Sequence, residues 1–181
     1  MKKQILKILL LFLTMSTTLG FSNNAKSATL HDFVLKDIDG QSIDLKDFYG
    51  KPVFIVNTAS KCGFTPQYGE LQKLYKEFEN DGVIFIGVPS NDFRQELNTN
   101  EEVKKFCLIK FGISFYLTEI EKIKGDTAHP LFKWLAETHK VEPKWNFYKY
   151  LFDKEGRLVN SWSSITSPTS KKIKKSIKKL L

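Results

Sequence analysis

Cys62 and Cys107 are the two residues of this sequence whose chemistry stands out. Cys62 lies in a loop of small residues, Thr58-Ala-Ser-Lys-Cys-Gly-Phe-Thr-Pro66. An unbroken apolar run, Val53-Phe-Ile-Val56, precedes the loop, and Leu71, Leu74, Tyr75 and Phe78 follow it at helical spacing. A run of that kind is a strand covered on both faces. The cysteine therefore sits after a strand and just before a helix, where unpaired backbone N–H groups and the helix dipole favour an anion. The thiolate is the nucleophilic form of cysteine, and Lys61 adds positive field beside it. The same local features also admit a buried, inert thiol.

Cys107 belongs to a different element. Thr99-Asn-Glu-Glu102 is a capping box, and it opens a helix that runs through Val103, Phe106 and Cys107 and stops near Gly112. Val103 and Cys107 share one helix face, which places Cys107 in the interior.

These residues are positioned by a regular succession of elements. Residues 32–37 and 41–45 read as an N-terminal hairpin around Asp39-Gly40. Pro52 to Thr58 is a central strand, Pro66 to Phe78 a helix ended by Asp81-Gly82, and Val83 to Val88 the next buried strand. Together they make a βαβ unit with its reactive loop at the carboxyl end of a strand. Ala128 to His139 is an amphipathic helix, and residues 147–151 and 157–161 form a hairpin around Asp153-Lys-Glu-Gly156. Ser167-Pro168 reads as the cap of a last helix. The sum is a single α/β domain, residues 28–181, with a mixed sheet and an N-terminal β-hairpin.

Residues 1–27 stand apart. Lys2 and Lys3, the apolar stretch Ile8 to Leu13 and a polar run ending in Ala25-Lys-Ser27 have the order of a secretory signal peptide. The apolar part is shorter than the ~20 residues of a bilayer span. Cleavage after Ser27 is expected, with Gly20 as a second position, and the mature chain is then exported to a periplasmic or extracellular space. The net charge of +8 includes four lysines of this leader, so about +4 remains on the rest of the chain. Much of that charge sits in the tail, where Lys171, Lys172, Lys174, Lys175, Lys178 and Lys179 alternate with Ile173, Ile177 and Leu180. The spacing is that of a terminal helix with its apolar stripe on the core and a solvated lysine face. A weak contact with a membrane surface is the functional alternative, and no nucleic-acid partner is expected.

The segment Val56-Asn-Thr-Ala-Ser-Lys-Cys-Gly-Phe-Thr-Pro-Gln-Tyr68 resembles the signature around the peroxidatic residue of glutathione peroxidases. Further segments agree in order: Gly87-Val-Pro-Ser-Asn-Asp-Phe93 with Gln95-Glu96, Ala128-His-Pro-Leu-Phe132, Lys144-Trp-Asn-Phe147 and Thr166-Ser-Pro168. The resemblance spans roughly residues 30–181 and implies a thioredoxin-like fold. It also implies a non-seleno thiol peroxidase with Cys62 as the peroxidatic residue, supported by Gln95, Trp145 and Asn146, without metal or cofactor. Amide N–H₂ and indole N–H groups are donors that can stabilise a thiolate and a departing alkoxide without changing charge. Cys107 lies at or beside the resolving cysteine of members that use thioredoxin-type reductants instead of glutathione, so the resemblance implies a Cys62–Cys107 disulfide intermediate. Forming it would require the Cys107 helix to unwind.

The sequence also departs from the family pattern. The segment before Gln95 is one residue short and carries Arg94 where small residues are common, Asp92 replaces a Gln, and Ser90 stands where many relatives have a further cysteine. Phe115-Tyr-Leu-Thr118 lacks a usual proline turn. The stretch between His129 and Lys144 is too short for the loop that makes tetramer contacts in relatives, so a monomer with an open site suited to bulky lipid hydroperoxides is expected.

Three rival readings fit less well. An exported thiol-disulfide oxidoreductase needs a Cys-x-x-Cys pair, and Thr65 occupies the second position. A peroxiredoxin usually has Thr three residues before its cysteine, where Ala59 stands. An inactive thioredoxin-like module binding metal through Cys62 and His129 lacks ligand spacing among its histidines, His31, His129 and His139.

Overall fold

The computed structural model describes residues 27–181. All of the leader except Ser27 lies outside the described residues. Strands β1 (Val34–Lys36) and β2 (Ser42–Asp44) pair antiparallel. Their connection is closed by the Asp37 carboxylate, which accepts the N–H groups of Asp39 and Gln41, with Gly40 at φ 83°.

The main sheet contains β3 (Val53–Thr58), β4 (Ile84–Pro89), β5 (Tyr116–Leu117), β6 (Lys149–Phe152) and β7 (Leu158–Trp162), in the order β5-β4-β3-β6-β7. β3 runs parallel to β4, and β4 to β5, whereas β6 is antiparallel to both β3 and β7. The helices are α1 (Gln67–Phe78), α2 (Asn100–Phe111), α3 (Pro130–His139) and α4 (Lys171–Lys178).

Every residue of β3 is buried, and its side chains alternate between two cores. Phe54 and Val56 join Leu71 and Leu74 of α1, Val103 and Cys107 of α2, and Ile173 and Ile177 of α4. Val53 and Ile55 join Leu131 and Leu135 of α3 and Leu35 and Ile43 of the N-terminal hairpin. An apolar run without polar alternation is what a strand between two layers requires. The structure thus shows the thioredoxin-like α/β architecture, with a mixed sheet between helices and a separate N-terminal hairpin.

Three local expectations are corrected. α3 begins at Pro130 rather than Ala128, because the His129 ring caps it: Nδ1 accepts the Leu131 N–H at 3.2 Å. Ser167-Pro168 does not cap α4. Ser170 occupies that position, and the Ser167 hydroxyl donates instead to the Glu70 carboxylate of α1. Residues 116–117, read as part of a loop, form the edge strand β5.

β5 can lie against β4 because residue 87 has no side chain. A Cβ there would stand 2.8 Å from Leu117 Cδ2 and 3.2 Å from Phe115 Cε2. Gly87→Ala is therefore expected to lower stability by about 1–2 kcal/mol, seen in thermal unfolding as a Tm lower by roughly 5 °C. An unchanged Tm would mean that both side chains move aside freely.

Candidate active site

The parallel pairing of β3 and β4 sets Thr58 beside Pro89, so the chain leaves both strands at the same edge of the sheet. The loop after β3 carries Cys62, and the loop after β4 carries Gln95. Two backbone-directed bonds tie these loops together. The Lys61 N–H donates to the Gln95 carbonyl at 2.8 Å, and the Ser60 N–H donates to Glu96 Oε1 at 3.0 Å.

Within its loop, Cys62 is held from both sides. Its N–H donates to Thr65 Oγ1 at 3.0 Å, and that hydroxyl donates to the Ala59 carbonyl at 2.9 Å. Thr65, which breaks a Cys-x-x-Cys pattern, thus serves as the brace of the turn. The Phe64 N–H points at Cys62 Sγ from 3.4 Å. Overlapping turns over residues 62–69 carry the chain into α1, whose N-terminus faces the loop. Cys62 is 7% exposed, at the floor of an open hollow bordered by Lys61, Gly63, Pro66, Lys110 and Phe111. An N–H donor, a helix start and two lysines thus surround the sulfur.

The other expected site residues converge on the same edge. Asn146 Nδ2 donates to Gln95 Oε1 at 2.9 Å, which links the segment before β6 to the loop after β4. With Gln95 Oε1 engaged in this way, its own N–H₂ group remains available as a donor. Trp145 is 40% exposed, and its ring packs on Phe93 with centroids 5.3 Å apart. Phe64 N–H is the donor the geometry assigns to Cys62 Sγ; the side chains of Gln95, Trp145 and Asn146 make no hydrogen bond to it.

Backbone strain fixes Asn146. Phe147 adopts φ 63°, an uncommon conformation for a large side chain. It is retained because its N–H donates to the Asn57 carbonyl at 2.6 Å and its buried ring meets Tyr68 edge-on at 5.4 Å. Asn57 Nδ2 also donates to the Trp145 carbonyl at 3.0 Å, and Asn57 Oδ1 accepts the Tyr148 N–H at 2.9 Å. Arg94 stands at φ 56°, which explains why a small residue would suit that position in the shortened loop.

Cys107 is fully buried, as its place on the Val103 face requires, and both cysteines are free thiols. Burial pushes the Cys107 thiol up to about 12; the adjacent Tyr68 hydroxyl pulls it down and the Glu96 carboxylate adds to the rise. A thiol held in this way is unreactive while α2 stays folded. His129 is engaged elsewhere: with Nδ1 accepting from Leu131, Nε2 is the protonated nitrogen and donates to the Val34 carbonyl at 3.0 Å. Burial lowers its pKa against the pull of that carbonyl. Among the described residues no cluster of three His, Cys, Asp or Glu side chains is placed to hold a metal.

Sequence reasoning missed two supporting residues. Asp92 accepts the N–H groups of Ile123 (2.7 Å) and Lys124 (3.2 Å), and so holds the segment before α3 against the loop after β4. Lys149, in β6, is completely buried. Its Nζ reaches Gln67 Oε1 at 2.6 Å and the carbonyls of Thr166 (2.7 Å) and Ser164 (3.3 Å). Ser164 Oγ in turn donates to the Asn146 carbonyl at 2.5 Å. The available signal was a lysine inside a strand flanked by Phe147, Tyr150, Leu151 and Phe152, where a charge must find partners.

Comparison with known proteins gives one consistent result. A family model described as glutathione peroxidase matches residues 30–136. The hydroperoxy fatty acid reductase gpx1 of Synechocystis sp. is 41% identical over 164 residues, covering 84% of this chain and 96% of that protein. The glutathione peroxidase-like peroxiredoxin 2 of Saccharomyces cerevisiae is 37% identical over 150 residues, covering 80% of this chain and 93% of that one. Among solved structures, Trgpx in apo form superposes with a TM-score of 0.69 at 31% identity, covering 85% of this chain and 96% of that one.

The Lys149 knot makes stability depend on pH. Burial lowers the Lys149 pKa from 10.5 to about 7, against the opposing pull of Glu70. The unfolded chain keeps this proton up to about pH 10 while the folded chain releases it near 7. The folded state therefore gains stability from this group as pH rises through that window and loses it as pH falls towards 7. Urea unfolding between pH 7 and 9 is expected to show this rise, by about 1 kcal/mol or more, and Lys149→Met is expected to abolish it. A rise that persists in Lys149→Met would assign it to another group.

Proposed function

The chain belongs to the glutathione peroxidase family and reduces hydroperoxides with a thiol-type reductant, and from that premise we propose that Cys62 is its peroxidatic residue and Cys107 its resolving residue. The observation that supports this reading is the pair of backbone-directed bonds that ties the Cys62 loop, at an open hollow, to the loop of Gln95, whose side chain is in turn linked to Asn146. In the proposed cycle the Cys62 thiolate attacks the distal peroxide oxygen, the O–O bond breaks, and the alkoxide leaves and takes up a proton to become an alcohol or water. Cys62 is left as a sulfenic acid. Gln95, Trp145 and Asn146 supply neutral donors around the sulfur and the leaving oxygen. Cys107, exposed when α2 unwinds, then attacks Cys62 Sγ as a thiolate. Hydroxide is displaced and leaves as water, and the Cys62–Cys107 disulfide is reduced by a thioredoxin-type protein or by glutathione.

Bulky organic hydroperoxides are the substrates this hollow suits best. It opens to the surface beside Pro66 and Phe111, and the Synechocystis relative is a hydroperoxy fatty acid reductase. The short segment between His129 and Lys144 supports a monomer. The composition of residues 1–27 supports export and a role in defence against peroxide outside the cytoplasm, where a dedicated reductant must keep the disulfide cycling. The lysine face of α4 supports weak contact with anionic surfaces, since Ile173 and Ile177 alone turn inward.

Peroxide turnover by the chain with thioredoxin and its reductase, and separately with glutathione, tests the proposal. Cys62→Ser is expected to lose activity about a thousandfold with either donor, Gln95→Ala about a hundredfold, and Cys107→Ser to lose thioredoxin-supported turnover. Full activity of Cys107→Ser with thioredoxin would remove Cys107 from the cycle, and full activity of Cys62→Ser would overturn the whole assignment.

A further inference from the structure

The loops that hold Cys62 and Gln95 meet at a carboxylate to which the cycle gives no task. Glu96 is 3% exposed, and its Oε1 accepts two backbone N–H groups, from Ser60 at 3.0 Å and from Leu97 at 2.8 Å. Its own N–H donates to Asn91 Oδ1 at 3.1 Å. Ser60 lies two residues before Cys62. Leu97 lies three residues before the start of α2, the helix that carries Cys107. One oxygen atom therefore joins the peroxidatic loop to the lead-in of the resolving helix. The capping box between Thr99 and Glu102 continues the connection: Glu102 Oε2 accepts the N–H groups of Asn98 (3.0 Å) and Thr99 (3.2 Å), and Thr99 Oγ1 accepts the Glu102 N–H at 3.2 Å.

This arrangement is costly. Oε2 of the same carboxylate is buried without a hydrogen-bond partner among the described residues, and burial raises the Glu96 pKa against the pull of its donors. A fold that needed only bulk at this position could use an apolar side chain.

We propose that Glu96 is a positioning residue, a latch between the Cys62 loop and the start of α2 that keeps Cys107 sequestered until the helix opens. The inference rests on the two-cysteine reading for its purpose, but the latch itself is a property of the resting protein. While it is closed, Ser60 and Leu97 are held to one atom, Cys62 faces the hollow and Cys107 stays inside. When it is released, the Cys62 loop and the first turn of α2 separate, which is the motion that disulfide formation requires.

The test is carried out in a Cys62→Ser background, so that Cys107 is the only thiol. Glu96→Ala is expected to speed iodoacetamide labelling of Cys107 about tenfold, the effect of losing hydrogen bonds to a buried charge. Glu96→Gln keeps an acceptor oxygen without the charge. It is expected to label at an intermediate rate, and it carries the test if Glu96→Ala does not fold. Hydrogen exchange distinguishes a latch from a merely structural role: faster exchange is expected in residues 60–63 and 97–111, with β3 and β4 unchanged. Unaltered labelling, or exchange that rises equally across β3 and β4, would overturn the proposal. Faster labelling and localised exchange, with no Cys62–Cys107 disulfide when the Cys62-containing chain receives one equivalent of peroxide, would support the latch and remove the resolving role.

Discussion

Parallel pairing of β3 with β4 requires both strands to end at the same edge, and the geometry of the site depends on that constraint. Once Thr58 stands beside Pro89, the two following loops emerge side by side with backbone donors and acceptors that must be satisfied at a largely buried boundary. The Lys61 N–H on the Gln95 carbonyl and the Ser60 N–H on Glu96 meet that requirement. The same bonds fix where Cys62 and Gln95 lie relative to one another. Antiparallel β6, on the other side of β3, brings the Trp145-Asn146 segment to the same edge, where Asn57 grips the Trp145 carbonyl. Three segments distant in sequence thus meet through sheet order and backbone bonding.

Costly features gather around this edge. Phe147 and Arg94 occupy left-handed backbone conformations, Glu96 keeps an unpartnered oxygen in the interior, and Lys149 is an amine with no solvent contact. Each is held by neighbours that leave little alternative: Phe147 by Asn57 and Tyr68, Lys149 by Gln67 and two carbonyls of the loop before α4. Concentration of strain and buried polarity beside the Cys62 loop is what a preorganised site requires. Away from this edge the apolar side chains fill two cores.

Much of this was legible in the residues themselves. The unbroken run Val53 to Val56 could only be a doubly covered strand, the Thr99-Glu102 box marked the start of α2, and the spacing of Val103 and Cys107 placed the second thiol inside. The expectation of Cys62 with Gln95, Trp145 and Asn146 came from the resemblance carried by the motifs and their order. Lys149 and Glu96 were hidden because their roles depend on partners 82 and 36 residues away, with which local periodicity has no connection. The cap of α4 was misplaced because Ser167-Pro168 has the composition of a helix start, yet Ser167 bonds to Glu70 across the core. β5 escaped notice because two residues are too few for a pattern, and its place depends on the bare Gly87 opposite.

The central claim is that Cys62, held by this edge, is the atom that meets peroxide. The most direct measurement adds one equivalent of hydroperoxide to the Cys107→Ser chain and traps sulfenic acid with dimedone, followed by mass spectrometry of the peptides. The account requires an adduct on Cys62 approaching one per chain, formed as the peroxide disappears. Peroxide that disappears with no adduct at Cys62, or at an equal rate in Cys62→Ser, would contradict it.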